Sequence, residues 1–471
     1  MPLVLDRNVP TSMQQTVQNP AVEIARFVST LGYEDLPDQA IRTVERAMVD
    51  TIGVMLAGAP GRAPTIADGA IRQLAGGTGI ATLLPSGELG PVHDAAFVNG
   101  TAGHWHDYDD VMEKFHMHPS VPLTATVLAV GEQVDASARD LITAFAAGFE
   151  VIHYIAAPIN PDHYQRGWHG TATYGTFSST AAAASLLELT DHQLVHAMNI
   201  AGSLPAGLKR NFGSMTKSMH AGNAARNGIL AAAIALDGFE ATGDALIGDA
   251  GFYDLYRGEP DPDYSAFTAL GTTWSLVKDG VDMKKYPCCY FTHAAIEATL
   301  SLIEEHQISP DSIDSVTVRA SAAAKSAVIH DQPSTPLEGK FSMPYIIASA
   351  VVDGTVNLDT FTAAQLDNST VRDFMERISF ERDPDMPFSS HAGDVTITLN
   401  DGTAVNHQEA LPPGVNENPL TETELESKFH ECATILVSDS TASALFATIN
   451  QLRDQNSVTD LIEPIATGRS S

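Results

Sequence analysis

The sequence predicts a mainly α protein, in which a large all-helical domain, discontinuous in sequence, carries an inserted and smaller α+β domain. Three observations indicate this fold class. Apolar residues recur with helical spacing over most of the first 255 residues, where alternating strand patterns are almost absent. Alternating runs rich in β-branched residues appear only after about residue 278. Helical spacing returns from about residue 421, so the simplest arrangement is an insertion.

The first elements are two amphipathic helices. One places its apolar residues on a single face between Ala21 and Leu31 and ends at Gly32. The other runs from about Pro37 to Leu56 and ends before a glycine- and proline-containing turn. Further helical patterns cover residues 121–132, 138–157, 175–186 and 222–237.

The inserted segment combines strands with helices. Ser315–Ala320 alternates in the manner of a half-buried strand. Val395–Leu399 and Thr403–His407 flank an Asp-Gly turn at residues 401–402, a pattern typical of a β-hairpin. Helical patterns lie between the strands, at residues 291–306, 343–353 and 361–378, and follow them, at residues 423–437 and 441–452. We therefore predict a helical domain at 20–278 and 416–455, the inserted domain at 279–415, and tails at 1–19 and 456–471.

The charge balance is strongly acidic. The chain has 471 residues with 58 acidic and 26 basic side chains, a formal net charge of −32. Such a surface repels phosphate backbones, so we expect no nucleic-acid partner. Three explanations remain: an ordinary acidic enzyme, adaptation to high salt, or a cation-binding protein. The last is the weakest, because the acidic residues are scattered rather than spaced as metal ligands.

Other classes are disfavoured by missing patterns. We find neither a signal peptide nor about 18 uninterrupted apolar residues, so we predict a cytoplasmic protein without a membrane partner. Three cysteines are too few for a disulfide framework and are interpreted as small buried thiols. Phosphate-binding loops, dinucleotide fingerprints and nucleophile elbows are absent, which argues against nucleotide chemistry and hydride transfer.

Two clusters in the first half combine titratable and small residues. Residues 104–110 (HWHDYDD), followed by His116 and His118, could form a metal site, an acid–base pair or only a capped loop. The metal alternative is weaker, because no HExxH-type spacing is present. His169, between glycines in RGWHG, precedes a small-residue helix and could help bind an anion at its N-terminus, or be a core histidine.

Two further clusters are basic. Lys217 begins a Gly/Ala-rich helical stretch that also contains His220 and Arg226, and it is either an anion anchor or a solvated lysine. Lys284 and Lys285 form a positive spot that would favour a carboxylate ligand, unless both are simply solvated.

Together these clusters resemble the MmgE/PrpD family. The matching stretches, in family order over about residues 20–450, are HDYDD…HPS (106–120), RGWHGTATYGTF (166–177), TKSMHAGNAARNG (216–228), MKKYPCC…H (283–293) and KFSMPYIIA (340–348). The resemblance implies that the inserted α+β domain is a lid, with the active site between it and the helical domain. It further implies a homodimer and an enzyme that needs no metal or organic cofactor.

The resemblance also implies roles for individual residues. Asp107 and His118 would share proton transfer, and His169 would orient the substrate. Lys217 and Lys284 would hold substrate carboxylates. The remaining implied site residues are the lid tyrosine Tyr345, as a catalytic group, and His220 and Arg226, as substrate-binding groups. One position departs from several relatives, because Val111 stands where they have threonine, so a hydroxyl that could bind a carboxylate is missing.

The implied activity is proton removal next to a carboxylate of a small di- or tricarboxylic acid. We favour a lyase similar to 2-methylcitrate dehydratase. An enzyme similar to cis-aconitate decarboxylase or to iminodisuccinate epimerase is the alternative within the family. A non-catalytic carboxylate-binding protein and a metal hydrolase built on the residue 104–118 cluster are alternatives of other classes.

Overall fold

The structure is a computed structural model that describes residues 19–76, 78–259 and 261–469. Its first portion is helical apart from a short antiparallel ladder of β1 (Ala81–Thr82) and β2 (Leu89–Gly90). The helices are α1 (Pro20–Thr30), α2 (Asp38–Gly58), α3 (Arg62–Ala75), α4 (Val92–Gly103), α5 (Ser120–Val134), α6 (Ala138–Ala156), α7 (Asp162–Gln165), α8 (Gly170–Leu186), α9 (Asp191–Ala201), α10 (Met215–Leu236), α11 (Phe252–Tyr256) and α12 (Ser275–Lys278).

The next portion contains a four-stranded sheet with helices. The strands are β3 (Ile313–Ala320), β4 (Ile378–Arg382), β5 (Gly393–Leu399) and β6 (Ala404–Glu409), in the order β4-β3-β5-β6. Strand β3 is parallel to β4 and antiparallel to β5. The helices are α13 (His293–His306), α14 (Ala322–Ala327), α15 (Pro336–Gly339), α16 (Met343–Asp353), α17 (Ala363–Leu366) and α18 (Ser369–Met375). The hairpin predicted around the Asp-Gly turn is confirmed by β5 and β6, in which Thr398 pairs with Ala404.

Three helices close the chain: α19 (Glu422–Ala433), α20 (Asp439–Asn450) and α21 (Thr459–Thr467). They pack with the first portion, because one hydrophobic core is built from residues 21–283 and 420–465. A second core is built from residues 286–397. The predicted fold class is therefore confirmed: a mainly α protein in which a smaller α+β unit interrupts a large helical one. The predicted boundaries at 278 and 415 stay predictions.

Two details of the prediction are wrong. The helical pattern assigned to residues 361–378 is broken into α17 and α18, and strand β4 follows it. That strand has exposed or half-buried residues throughout, so it lacks the alternating burial that would mark it. The segment 456–471 is not only a tail, because α21 buries Leu461 and Ile465 in the first core. The predicted tail at 1–19 lies outside the described residues except for Asn19, which caps α1.

Helices α8 and α10 bring their N-terminal ends to the same region. They begin at Gly170 and Met215, earlier than the predicted residues 175 and 222. The prediction placed both starts too late because the first turns of these helices lack apolar spacing. A Cβ atom on Gly222 would lie 2.0 Å from the carbonyl oxygen of Phe97, so this glycine lets α10 approach α4 closely. The approach places the first turn of α10 beside the residue 104–119 loop. No helix in the described part of the chain has the length and apolarity that a membrane span requires.

Candidate active site

The loop between α4 and α5, residues 104–119, forms the centre of the site. Asp107 and His116 both have left-handed backbone conformations, with φ of 54° and 51°. Such values are uncommon for residues other than glycine, although aspartate tolerates them better than most. The turn at Asp107 points its carboxylate toward α10 and toward the segment that follows α12.

Asp107 lies between two lysines. Its Oδ1 is 2.6 Å from Lys217 Nζ and 3.0 Å from Lys284 Nζ. All three side chains are buried, with Lys284 only 1% exposed. Burial alone would raise the pKa of Asp107, but the two ammonium groups outweigh it and hold that pKa well below its ordinary value. Asp107 is therefore ionised and is a weak base.

A second aspartate contacts two histidines. Asp109 Oδ2 is 2.8 Å from His104 Nδ1 and 3.2 Å from His118 Nδ1. Burial lowers the pKa of His104 to about 4, so its neutral ring donates a hydrogen bond to Asp109. The other nitrogen of His118, Nε2, is 3.7 Å from Asp107 Oδ1. One nitrogen of the His118 ring thus lies against Asp109, and the other lies on the side of Asp107.

His169 and His220 form a neighbouring pair. Their Nδ1 atoms are 3.0 Å apart, so one ring donates a hydrogen bond to the other. Burial lowers the pKa of His169 well below its ordinary value and that of His220 to about 4. Both rings are therefore neutral at neutral pH. A neutral imidazole has one N–H donor and one acceptor nitrogen, so each ring can orient a substrate by hydrogen bonding.

A cavity of about 100 Å³ joins these groups. Five of the eight predicted site residues line it: Asp107, His118, His169, Lys217 and Lys284. Its other walls include Val111 and, from the inserted portion, Tyr290, Phe291, Phe341 and His391. The cavity therefore lies between the helical portion and the inserted portion, as the family resemblance implies. At its edge Glu113 Oε2 and His391 Nε2 are 2.6 Å apart, which links the two portions.

A second depression is larger, but its charge does not suit the binding of a carboxylate. It has a volume of about 730 Å³ and lies between the end of α1, the turn from α5 to α6 and the end of α8. Its lining contains Asp135, Asp140 and Glu188 and no lysine, arginine or histidine. Such a surface would repel a polycarboxylate. The smaller cavity, with its two lysines, is the better candidate.

Three of the residues predicted to act at the site do not line the cavity. Tyr345 is fully buried in the second core, where its hydroxyl donates to the carbonyl oxygen of Thr360. Arg226 lies on another face of α10 and pairs with Asp94 at 3.1 Å, with its side chain 39% exposed. His220 does not line the cavity and contacts the ring of His169, which does.

Other groups near the site were not predicted as functional. His104 and Asp109 belong to the HWHDYDD cluster, but nothing in the sequence shows which of its three aspartates faces which histidine. Glu113 and His391 form a pair but are far apart in sequence. The buried lysines Lys340 and Lys428 contact the site loop and are likewise distant from it in sequence. The three cysteines are buried thiols, as predicted.

Four side chains in the loop could also hold a metal ion. Their ligand atoms lie within 4.8 Å of one another: His104, Asp107, Asp109 and His118. A cation there would compete with Lys217 and Lys284, which already balance the Asp107 carboxylate.

We therefore expect turnover to be unchanged after dialysis against a strong chelator. The measurement is a turnover assay together with elemental analysis of the dialysed protein. Activity that disappears and returns with one particular metal would instead make the four-residue cluster a metal centre.

Acid should destabilise the protein through its buried histidines. Burial lowers the pKa of His104 to about 4 and that of His163 to about 3, against 6.5 for an ordinary histidine. Between pH 6.5 and 4 these two histidines therefore bind more protons in the unfolded chain than in the folded one, so their contribution to the free energy of unfolding falls as pH falls. Buried carboxyl groups such as Glu150, whose pKa burial raises to about 7, contribute with the opposite sign, so the test is made on a single histidine. We expect His104→Asn to flatten this dependence by roughly 1.4 kcal/mol per pH unit in that window.

Urea unfolding at several pH values measures the effect, and the exposed His306 supplies the control, because His306→Asn should leave the slope unchanged. A pH dependence of the free energy of unfolding that is the same in His104→Asn as in the native protein would contradict the burial argument.

Comparisons with known proteins agree with this geometry. Residues 22–265 match the model of the MmgE/PrpD N-terminal domain, and residues 286–453 match that of the MmgE/PrpD C-terminal domain. The chain is 27% identical to cis-aconitate decarboxylase from Homo sapiens over 451 residues, which is 91% of each chain. It is also 27% identical to cis-aconitate decarboxylase from Aspergillus terreus (strain NIH 2624 / FGSC A1156) over 483 aligned residues, or 94% of each chain.

Proposed function

The chain belongs to the MmgE/PrpD family, and from that premise we propose that it is a lyase that decarboxylates a small unsaturated tricarboxylate of the cis-aconitate type. The observation that carries the proposal is one cavity lined by two buried lysines and by His118, whose Nδ1 lies against Asp109 and whose Nε2 lies on the side of Asp107. The sequence alone favoured a dehydratase similar to 2-methylcitrate dehydratase. The relatives similar over nearly the whole chain are cis-aconitate decarboxylases, which supports the alternative.

The number of proton-transfer groups also favours decarboxylation. Dehydration needs one group to remove a proton and a second to protonate the leaving hydroxyl. Here the lysines hold Asp107 as a weak base, and burial makes the neutral ring of His169 a weak base too, because its pKa lies well below the ordinary value. Decarboxylation of an unsaturated acid needs only one proton donor, because CO₂ is the leaving group. His118 suffices for that role.

In the proposed reaction, Lys217 and Lys284 hold the carboxylates that the product retains. The bond between the methylene carbon and its carboxylate breaks and releases CO₂. The electron pair spreads over the allylic system toward the carboxylate at the far end of the double bond, where a lysine stabilises the growing charge. His118, as the imidazolium, gives its Nε2 proton to the carbon next to that carboxylate, and the double bond shifts to the former methylene carbon. The balance is one tricarboxylate and one proton to one dicarboxylate and CO₂.

The roles of the two aspartates differ from those implied by the resemblance. Asp107 balances and positions the two lysines, and Asp109 orients His118. His169 and, behind it, His220 position the substrate from the α8 side. Val111, Tyr290 and Phe341 make the rest of the wall mainly apolar, which keeps water from the carbanion and strengthens the lysine contacts.

A panel of acids tests the proposal. The purified protein is incubated with cis-aconitate, 2-methylcitrate, citrate and iminodisuccinate, and released CO₂ and products are quantified by chromatography. We expect CO₂ and methylenesuccinate from cis-aconitate alone. Faster loss of water from 2-methylcitrate would make the enzyme a dehydratase, inversion of iminodisuccinate would make it an epimerase, and binding without turnover would make it a carboxylate-binding protein.

Assembly and location stay predictions. The resemblance implies a homodimer, and light scattering of the purified protein would measure its mass. The cytoplasmic location expected from the sequence is likewise open to test by fractionation of the native host.

A further inference from the structure

The backbone of the site loop is contacted by three lysines at three consecutive residues. Lys340 Nζ donates to the carbonyl oxygen of His106 at 2.8 Å, and Lys284 Nζ donates to that of Asp107 at 2.6 Å. Lys428 Nζ donates to the carbonyl oxygen of Tyr108 at 2.9 Å. All three lysines are at most 5% exposed. The central residue of the three is Asp107, whose backbone is left-handed.

The lysines come from separate parts of the chain. Lys284 precedes the second core, Lys340 directly follows α15 in the inserted portion, and Lys428 lies on α19 of the last helices. The loop conformation is therefore fixed by three elements at once. A left-handed aspartate is strained and persists only where the surroundings determine its conformation.

Lys340 has no evident role other than these contacts. Its two hydrogen-bond acceptors are carbonyl oxygens, those of His106 and of Pro287 at 2.7 Å, and its ammonium lies 4.5 Å from the ring centre of Phe361. Burial lowers the pKa of Lys340 to about 7, which reflects how unfavourable this position is for a cation. Lys428 differs, because it also pairs with the buried Asp50.

We propose that Lys340 is a positioning residue that, with Lys284 and Lys428, clamps the carbonyls of residues 106–108 and so holds the Asp107 carboxylate against Lys217 and Lys284. By joining the carbonyls of His106 and Pro287, Lys340 ties the Asp107 turn to the segment that carries Lys284. This inference deepens the proposed function, since it concerns the same site, but it does not depend on which acid is the substrate.

Two variants of similar volume separate positioning from packing. Lys340→Met removes the donors, and Lys340→Gln keeps an N–H donor. We expect Lys340→Met to lower kcat/KM about 10²-fold, the order of loss produced by a 1 Å displacement of reacting groups. Lys340→Gln should recover about tenfold of that loss. A packing role predicts the opposite order, because methionine fills an apolar site better than glutamine.

A double-mutant cycle tests whether Lys340 acts through Asp107. In an Asp107→Asn background, Lys340→Met should change kcat/KM by less than about threefold, because the group it positions is already disabled. The control is Lys325→Met, which removes an exposed lysine that likewise donates to a carbonyl, that of Phe380 at 2.9 Å, and lies over an aromatic ring. Its kinetics should equal those of the native protein.

Hydrogen–deuterium exchange of the peptide covering residues 104–112 needs no substrate. It should be at least about tenfold faster in Lys340→Met than in the native protein, and unchanged in Lys325→Met. If no acid is turned over, the proposed function fails while this measurement still tests the clamp. Should Lys340→Met not fold, Lys340→Gln is compared with the native protein by the same exchange and kinetics. Native exchange and kinetics in the folded variants, or an undiminished loss in the Asp107→Asn background, would overturn the proposal.

Discussion

Replacing His118 by asparagine lowers kcat by roughly 10² to 10⁴-fold in correctly folded protein, because the reaction loses its proton donor. The introduced amide N–H can donate a hydrogen bond to the Asp109 carboxylate, which lies 3.2 Å from the native ring, so the fold should be retained. The measurement is kcat at substrate saturation together with thermal unfolding of the same preparation. A structural role would lower stability and leave kcat nearly intact.

Asp109 and a matched histidine extend this test. Asp109→Asn should also lower kcat, and combining it with His118→Asn should add little, because an orienting residue and the group it orients act as one unit. His163 is the control: it is equally buried but bonds Thr173, away from the cavity lining. His163→Asn should keep native kcat. Native turnover in folded His118→Asn would remove His118 from the mechanism and turn the search to the other histidines that line the cavity, His116, His169 and His391.

Replacing Lys284 by methionine lowers kcat/KM by roughly 10² to 10³-fold, mainly by raising KM. The substrate carboxylate loses its cation, and Asp107 keeps Lys217 as its remaining lysine partner. The adjacent Lys285 is a matched control, since it is partly exposed and pairs with Glu297 at 2.9 Å instead. Steady-state kinetics of both variants measure the difference.

We expect Lys285→Met to bind substrate normally. Equal KM values in the two lysine variants and the native protein would show that Lys284 holds the loop but not the substrate. A loss in kcat alone would mean that Lys284 contacts only the developing charge and not the bound acid.

The spacing of apolar residues predicted most of the fold because the helices and strands bury one face each against a large core. Helices such as α2 and α6 carry continuous apolar faces, and the α+β insertion is marked by the alternation of β3 and the β5–β6 hairpin. Strand β4 was missed because neither of its faces is well buried. Helix α21 was missed because its nine residues are too few to stand out from a polar terminus.

The site was predicted in part, and the limits have physical causes. The family motifs brought five side chains to one cavity, among them Lys217 and His118. Arg226 could have been excluded by helix geometry, because nine residues after Lys217 the side chain points to the opposite face, about 13 Å further along the axis. The pairing of Asp109 rather than Asp107 with the ring of His118 depends on the left-handed turn at Asp107, and that turn is held by lysines distant in sequence.

NMR of the product formed from cis-aconitate in deuterium oxide tests the central claim most directly. Proton delivery from one histidine predicts release of CO₂ and formation of methylenesuccinate. The product should carry a single deuterium, in one configuration, at its saturated carbon. The rate of its formation should fall in His118→Asn together with kcat. Recovery of cis-aconitate with deuterium exchanged but no CO₂ released, or of a hydrated or dehydrated acid in place of methylenesuccinate, would contradict decarboxylation.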